Sequence, residues 1–195
     1  MNTTKILTIV LFIVAIGLGY YLVDTIKFKI DEEERITRME ARVINKLMMI
    51  RDAQLAYQGA NGSYTASWDT LLAFIDTGRI YITQRREETV LLDYGAEETT
   101  IFIDTLGSIA VTDTIFSRNK YPNFNLSTLA TIPGSNMRFE MFADKILKGG
   151  VEVDVIEVRN VIPVDPRRSE DNEANIKKPL RFGSRTNITT AGNWE

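Results

Sequence analysis

Residues 6–23, ILTIVLFIVAIGLGYYLV, form an uncharged apolar run of 18 residues between Lys5 and Asp24. At about 1.5 Å of rise per helical residue the run spans roughly 27 Å, close to the hydrocarbon thickness of a bilayer. It predicts a transmembrane helix over 6–26, led by a short N-terminal tail at 1–5. Tyr20 and Tyr21 suit the aromatic belt at the membrane interface. Two other readings compete. A cleaved signal peptide needs a small-residue cleavage site, and no A-x-A pattern follows; Tyr20, Tyr21 and Leu22 are poor substrates, with Gly17 and Gly19 a weak alternative. A buried core helix would show the polar spacing of a helix face, which this run lacks.

The flanking charges divide on orientation. Lys5 and the α-amine lie on one side; Lys27, Lys29, Arg35 and Arg38 lie on the other. The positive-inside rule read literally places the large domain in the cytoplasm. A short tail, one anchor and a large following domain is also a common exported arrangement.

Beyond the anchor about 165 residues remain, enough for one domain with a real core. A formal net charge of −3 and the lack of a basic stripe argue against nucleic acid as a partner. The chain has no cysteine and no histidine. That removes disulfides, thiolate nucleophiles, zinc–cysteine sites, the commonest general base and the commonest metal ligand. No enzyme activity and no cofactor are expected.

From Thr25 to Tyr57 there is neither proline nor glycine. Ile36, Val43, Ile50 and Tyr57 recur every seven residues, with Met39 and Leu47 beside them, while charged residues crowd the other faces. This predicts an amphipathic helix running straight out of the membrane segment. The stripe Ile36, Val43, Leu47, Ile50 and Tyr57 serves helix packing, either against the protein's own sheet, the preferred reading, or in a coiled coil. A turn at Gly59-Ala60-Asn61-Gly62-Ser63 ends it, and a short helix over 67–77 follows, N-capped by Ser67 and stopped by Gly78. Strands are then expected over 79–84, 89–94, 100–105, 109–116, 137–143 and 151–158. Residues 123–131 read as a further strand or a loop, and Gly149-Gly150 falls in a turn. The broken alternation of Val151, Val153, Ile156 and Val158 suggests a bulge. Spacings of about ten residues without intervening helices favour an antiparallel sheet, so the fold class is α+β. Residues 163–178 read as a flexible, solvated loop, and 179–195 as strand-capable sequence ending near Trp194. That tryptophan is a core plug or a docking residue.

The catalytic motifs are weak. Ser117-Arg118-Asn119-Lys120 has S-x-x-K spacing, but in turn-like sequence before Tyr121-Pro122 rather than at a helix start. The pairs and runs at Glu97-Glu98 and Glu32-Glu33-Glu34 fit solvated faces better than a metal site. N-x-[ST] triplets begin at Asn2, Asn61, Asn125 and Asn187. Ala15 and Gly19 form a small-x-x-x-small pair suited to transmembrane association with another helix. Tyr81, Phe102 and Phe116 alternate within strands, which reads as core first and as a binding groove second.

The stretch Ile50-Arg51-Asp52-Ala53-Gln54-Leu55-Ala56-Tyr57, then Asn61-Gly62-Ser63-Tyr64 and a segment from Trp68 to Phe74, resembles type IV pilins and the pseudopilins of type II secretion. The resemblance covers about residues 5–75. It implies a membrane helix continuous with an amphipathic helix lying across an antiparallel sheet, in a pilin-like α+β domain at 27–195. It also implies a domain facing away from the cytoplasm, so the expected location is the bacterial inner membrane with a periplasmic domain. The sequence departs from that family at the processing site: no glycine precedes Ile6, and no acidic residue lies within the apolar run. The closing RFGSRTNITTAGNWE resembles the ending of Bacteroidota envelope proteins to which no function is attached. The expectation is a non-catalytic structural or assembly subunit whose partners are the membrane, crossed once, and other envelope proteins or a second copy. An envelope module binding a peptide or polysaccharide is the alternative.

Overall fold

A computed structural model describes residues 3–91, 97–169 and 177–195. The apolar run and the amphipathic segment form one helix, α1 (Thr3–Asn61), 59 residues and about 88 Å long. With no proline in it and no glycine from Thr25 to Tyr57, nothing interrupts its hydrogen-bond ladder there. Gly62, at φ +81°, closes it by donating its N–H to Gln58 O at 2.7 Å. Helix α2 (Trp68–Thr77) starts at Ser67, whose side chain accepts from Thr70 N, and stops at Gly78.

Strands β1 (Arg79–Leu91) and β2 (Glu97–Ala110) pair antiparallel into a two-stranded sheet. Two short helices follow, α3 (Val111–Ile115) and α4 (Leu126–Leu129). A second sheet has the order β3 (Glu140–Lys148), β4 (Val151–Arg159), β5 (Arg181–Gly183), again antiparallel. Gly149 and Gly150, both at positive φ, make the two-residue turn between β3 and β4.

One hydrophobic cluster joins these elements. Val43, Leu47, Ile50 and Ala53 of α1 share it with Leu71 and Ile75 of α2, Val111 and Ile115 of α3, and Ile156, Val158 and Phe182 of the three-stranded sheet. Charged ties outside the cluster fasten distant segments to α1. Arg168 Nε meets Glu40 Oε1 at 2.6 Å, both side chains largely buried, and Arg51 Nη1 meets Glu195 Oε1 at 2.6 Å.

Several expectations change. The strands expected over 79–84 and 89–94 run together as β1, with 92–96 outside the described residues. Residues 109–116 are not a strand: β2 ends at Ala110, and Val111 and Ile115 turn into the core one helical turn apart. Helix α4 occupies part of 123–131. Among the described residues the strands form two sheets rather than one. The bulge expected in 151–158 is absent, since β4 keeps a regular register with both neighbours. Its apolar residues simply change face, odd positions to Val155 and even positions from Ile156. A register shift occurs instead at Ile82/Thr83, where Leu106 of β2 has no opposed residue.

Candidate docking interface

The β1–β2 sheet is a two-stranded ribbon about 43 Å long. Its base is anchored. Val111 N donates to Gly78 O at 3.1 Å, and Ile80 packs against the core cluster. Beyond that, residues 81–89 and 99–106, which include both faces, are exposed. Residues opposed across the strands share a face, so one face carries Tyr81, Arg85 and Glu87 with Ile101 and Ile103. The other carries Ile82, Gln84 and Arg86 with Phe102 and Asp104. Tyr81 is 66% exposed, and Ile101, Phe102 and Leu106 are exposed as well. The assignment of Tyr81 and Phe102 to the core is therefore overturned; of that trio only Phe116 is buried, stacked on Phe124 with centroids 3.9 Å apart.

Local contacts hold the ribbon's shape. Arg86 lies over the Phe102 ring at 5.3 Å, Arg85 Nη2 meets Glu87 Oε1 at 2.7 Å, and the Thr89 and Thr99 hydroxyls are 3.2 Å apart. Such exposed contacts contribute little each. An isolated two-stranded ribbon is marginal in water. A long one that displays isoleucine, tyrosine and phenylalanine is a candidate docking element.

The residues singled out from sequence fall in three places. Val43, Leu47 and Ile50 are fully buried. Ile36 is half-buried, and Tyr57 is half-buried with its ring edge-on to Phe74 at 5.2 Å. Ala15 and Gly19 lie on the exposed length of α1, and a Cβ at Gly19 would meet nothing within 4 Å. Trp194 is half-buried against the core cluster. Ser117 and Lys120 do not form a nucleophile and base: Lys120 Nζ is bound to Asp52 Oδ2 at 2.6 Å, and Tyr121 Oη donates to the same oxygen at 2.8 Å. Burial first, and then that bond, push the Tyr121 hydroxyl's pKa up. A cleft of about 690 Å³ borders this corner, lined by Asp113, Phe116, Ser117 and Arg118 among others. Among the described residues no group of three or more carboxylates could hold a metal ion.

The 163–178 segment is tied down at its described ends. Asp165, almost fully buried, accepts from Arg167 N and Nε, both at 3.0 Å, and from Lys177 Nζ at 3.3 Å. The Arg167 side chain foremost, with its N–H and Lys177, holds the carboxyl at about 2. Residues 170–176 of the expected flexible loop lie outside the described residues. No family model, curated protein or solved structure matches the chain.

Sequence reasoning missed the ribbon for a definable reason. Ile80-Tyr81-Ile82 and Ile101-Phe102-Ile103 are consecutive rather than alternating apolar residues. That pattern fits a strand buried on both faces as well as one exposed on both.

Proposed function

We propose that the protein is a non-catalytic, single-pass structural or assembly subunit of a bacterial cell-envelope complex, in secretion or surface machinery, acting through protein–protein contacts. The observation that carries this reading is the continuity of α1. Its first half is long and apolar enough to cross a membrane, with none of that window buried. Its second half supplies Val43, Leu47, Ile50 and Ala53 to the core. A rod that is anchor at one end and core at the other holds the domain at a fixed distance from the bilayer, which suits a part that must meet neighbours. The pilin-like reading adds a helix lying across a sheet and a periplasmic domain in the inner membrane. It rests on the resemblance of residues 50–74, and the shared cluster of α1 with β4 and β5 is compatible with it. The ribbon supplies the docking surface. An envelope module for a peptide or polysaccharide is the second reading, favoured by the exposed Tyr81 and by the ribbon's strand edges, which no described strand pairs.

Reporter fusions at the C-terminus, one active only in the cytoplasm and one only outside it, test the placement. Activity of the external reporter alone is the expected result. Activity of the cytoplasmic reporter alone overturns the envelope reading and makes the domain an inward-facing scaffold.

A further inference from the structure

The two edges of the ribbon are chemically unlike. The β1 edge carries Arg85, Arg86, Glu87 and Glu88, charges that discourage strand addition. The β2 edge, between the unopposed Leu106 and the start of the strand, reads Thr99-Thr100-Ile101-Phe102-Ile103-Asp104-Thr105. This is a near-palindrome centred on Phe102. Among the described residues, no strand covers it.

We infer that β2 pairs antiparallel with the β2 of a second copy, about a two-fold axis through Phe102. A two-fold axis perpendicular to a sheet sets each residue against its mirror position on the same face. An axis at Phe102 places Ile101 against the second copy's Ile103, and Ile103 against its Ile101. It sets Phe102 against Phe102, Thr100 against Asp104, and Thr99 against Thr105. Apolar meets apolar, and a hydroxyl meets a carboxylate. Neighbouring registers lack this match. An axis at Ile101 opposes Phe102 to Thr100 and Glu98 to Asp104, and one at Ile103 opposes Phe102 to Asp104. The β1 edge fits the operation worse, because an axis at Arg86 or Glu87 opposes that charge to itself.

The product is a four-stranded sheet, β1-β2-β2-β1. Four isoleucines adjoin on one face, and two Phe102 rings lie side by side on the other, each beneath its own Arg86. Three or more strands are what an exposed ribbon needs for stability. Both outer edges are then the charged β1, so growth stops at two copies. This rests on the assembly reading above and names the partner of the ribbon as the chain itself.

The chain has no cysteine, so single substitutions report cleanly. The test uses full-length chain in bacterial membranes. Phe102→Cys is expected to form a disulfide-linked dimer on mild oxidation, and Glu87→Cys is not. Ile101→Lys with Ile103→Lys opposes lysine to lysine across the dyad and should lower dimer recovery about tenfold, read by a bifunctional amine cross-linker on the wild-type background. Ile101→Lys with Ile103→Glu opposes lysine to glutamate, and also faces Glu87 and Arg85 favourably within the chain. It should restore the dimer. An unchanged unfolding midpoint in each variant shows that the core is intact. Dimers from Glu87→Cys but not Phe102→Cys, or a double-lysine variant that dimerises like wild type, overturn the inference. Failure of the lysine–glutamate pair to rescue overturns the register. A chain that forms no dimer but enters a larger assembly, lost in the double-lysine variant, overturns the second copy and leaves the docking reading standing. A wild-type chain that stays monomeric and enters no assembly overturns both.

Discussion

Ile50 and Ile103 sit in comparably apolar stretches, yet Ile50 has no exposed surface and Ile103 is 68% exposed. Ile50 stands on a helix face whose other sides are charged, so only one orientation buries its stripe, and it shares one buried cluster with Leu71, Ile75, Val111, Ile156 and Val158. Ile103 stands on a ribbon whose two faces are both apolar in part, and among the described residues no element covers Ile103 or Phe102. Apolar sequence states that burial is needed; it does not state whether the cover comes from within the chain. The helix stripe finds its cover internally, and the ribbon's apolar side chains stay exposed.

The contrast breaks most sharply at its centre. Ile50→Asp places a charge among Leu47, Leu71 and Ile75 and should cost at least about 4 kcal/mol, enough to unfold the domain while leaving membrane insertion intact. Loss of the cooperative melt with unchanged membrane fractionation is the expected observation. A normal melt would mean that the stripe faces solvent or a partner.

Gly183→Ala tests the sheet side of the core. Gly183 has φ +79°, and a Cβ there would sit 2.0 Å from Ile156 O. The strained conformation and the overlap together should destabilise by about 3 kcal/mol, read from denaturant midpoints at constant slope.

Acid probes the tie between the 163–178 shoulders. Asp165 titrates below the ordinary carboxylate value of 3.8, at about 2. Its contribution is therefore full above pH ~4 and is lost as pH falls toward ~2. Arg167 and Lys177 are both well exposed, which weakens the tie to about 1 kcal/mol. Asp165→Asn should remove that amount at neutral pH and flatten this part of the acid profile.

The smallest effect is expected on the ribbon. Ile103→Ser should shift the unfolding midpoint of the unassembled chain by less than about 0.5 kcal/mol. A shift like that of Ile50→Asp would show that the ribbon is covered from within and erase the contrast.

The helical half of the molecule was legible because helix signals are local. The seven-residue stripe, Ser67 as a cap and Gly59-Ala60-Asn61-Gly62-Ser63 as a stop lie within a turn or two of what they control. The β half was less so. Val111 and Ile115, spaced one helical turn apart, sit in β-branched sequence that reads as strand, and tertiary burial decided for helix. Glu40 with Arg168, and Asp52 with Lys120 and Tyr121, join residues far apart in the chain and leave no spacing to find. The candidate docking surface was half legible: its strands were read from composition, and their exposure depended on what the rest of the fold left uncovered.

Hydrogen exchange of the full-length chain, followed at low and high density in the membrane, measures the contrast directly. Amides of α1 over 39–57 should be protected equally at both densities. The alternate amides of β2 over 99–105 that point away from β1 should exchange freely when the chain is dilute and gain protection as copies meet. Protection of those amides that matches α1 and ignores density would contradict the account, because the ribbon's cover would then come from its own chain.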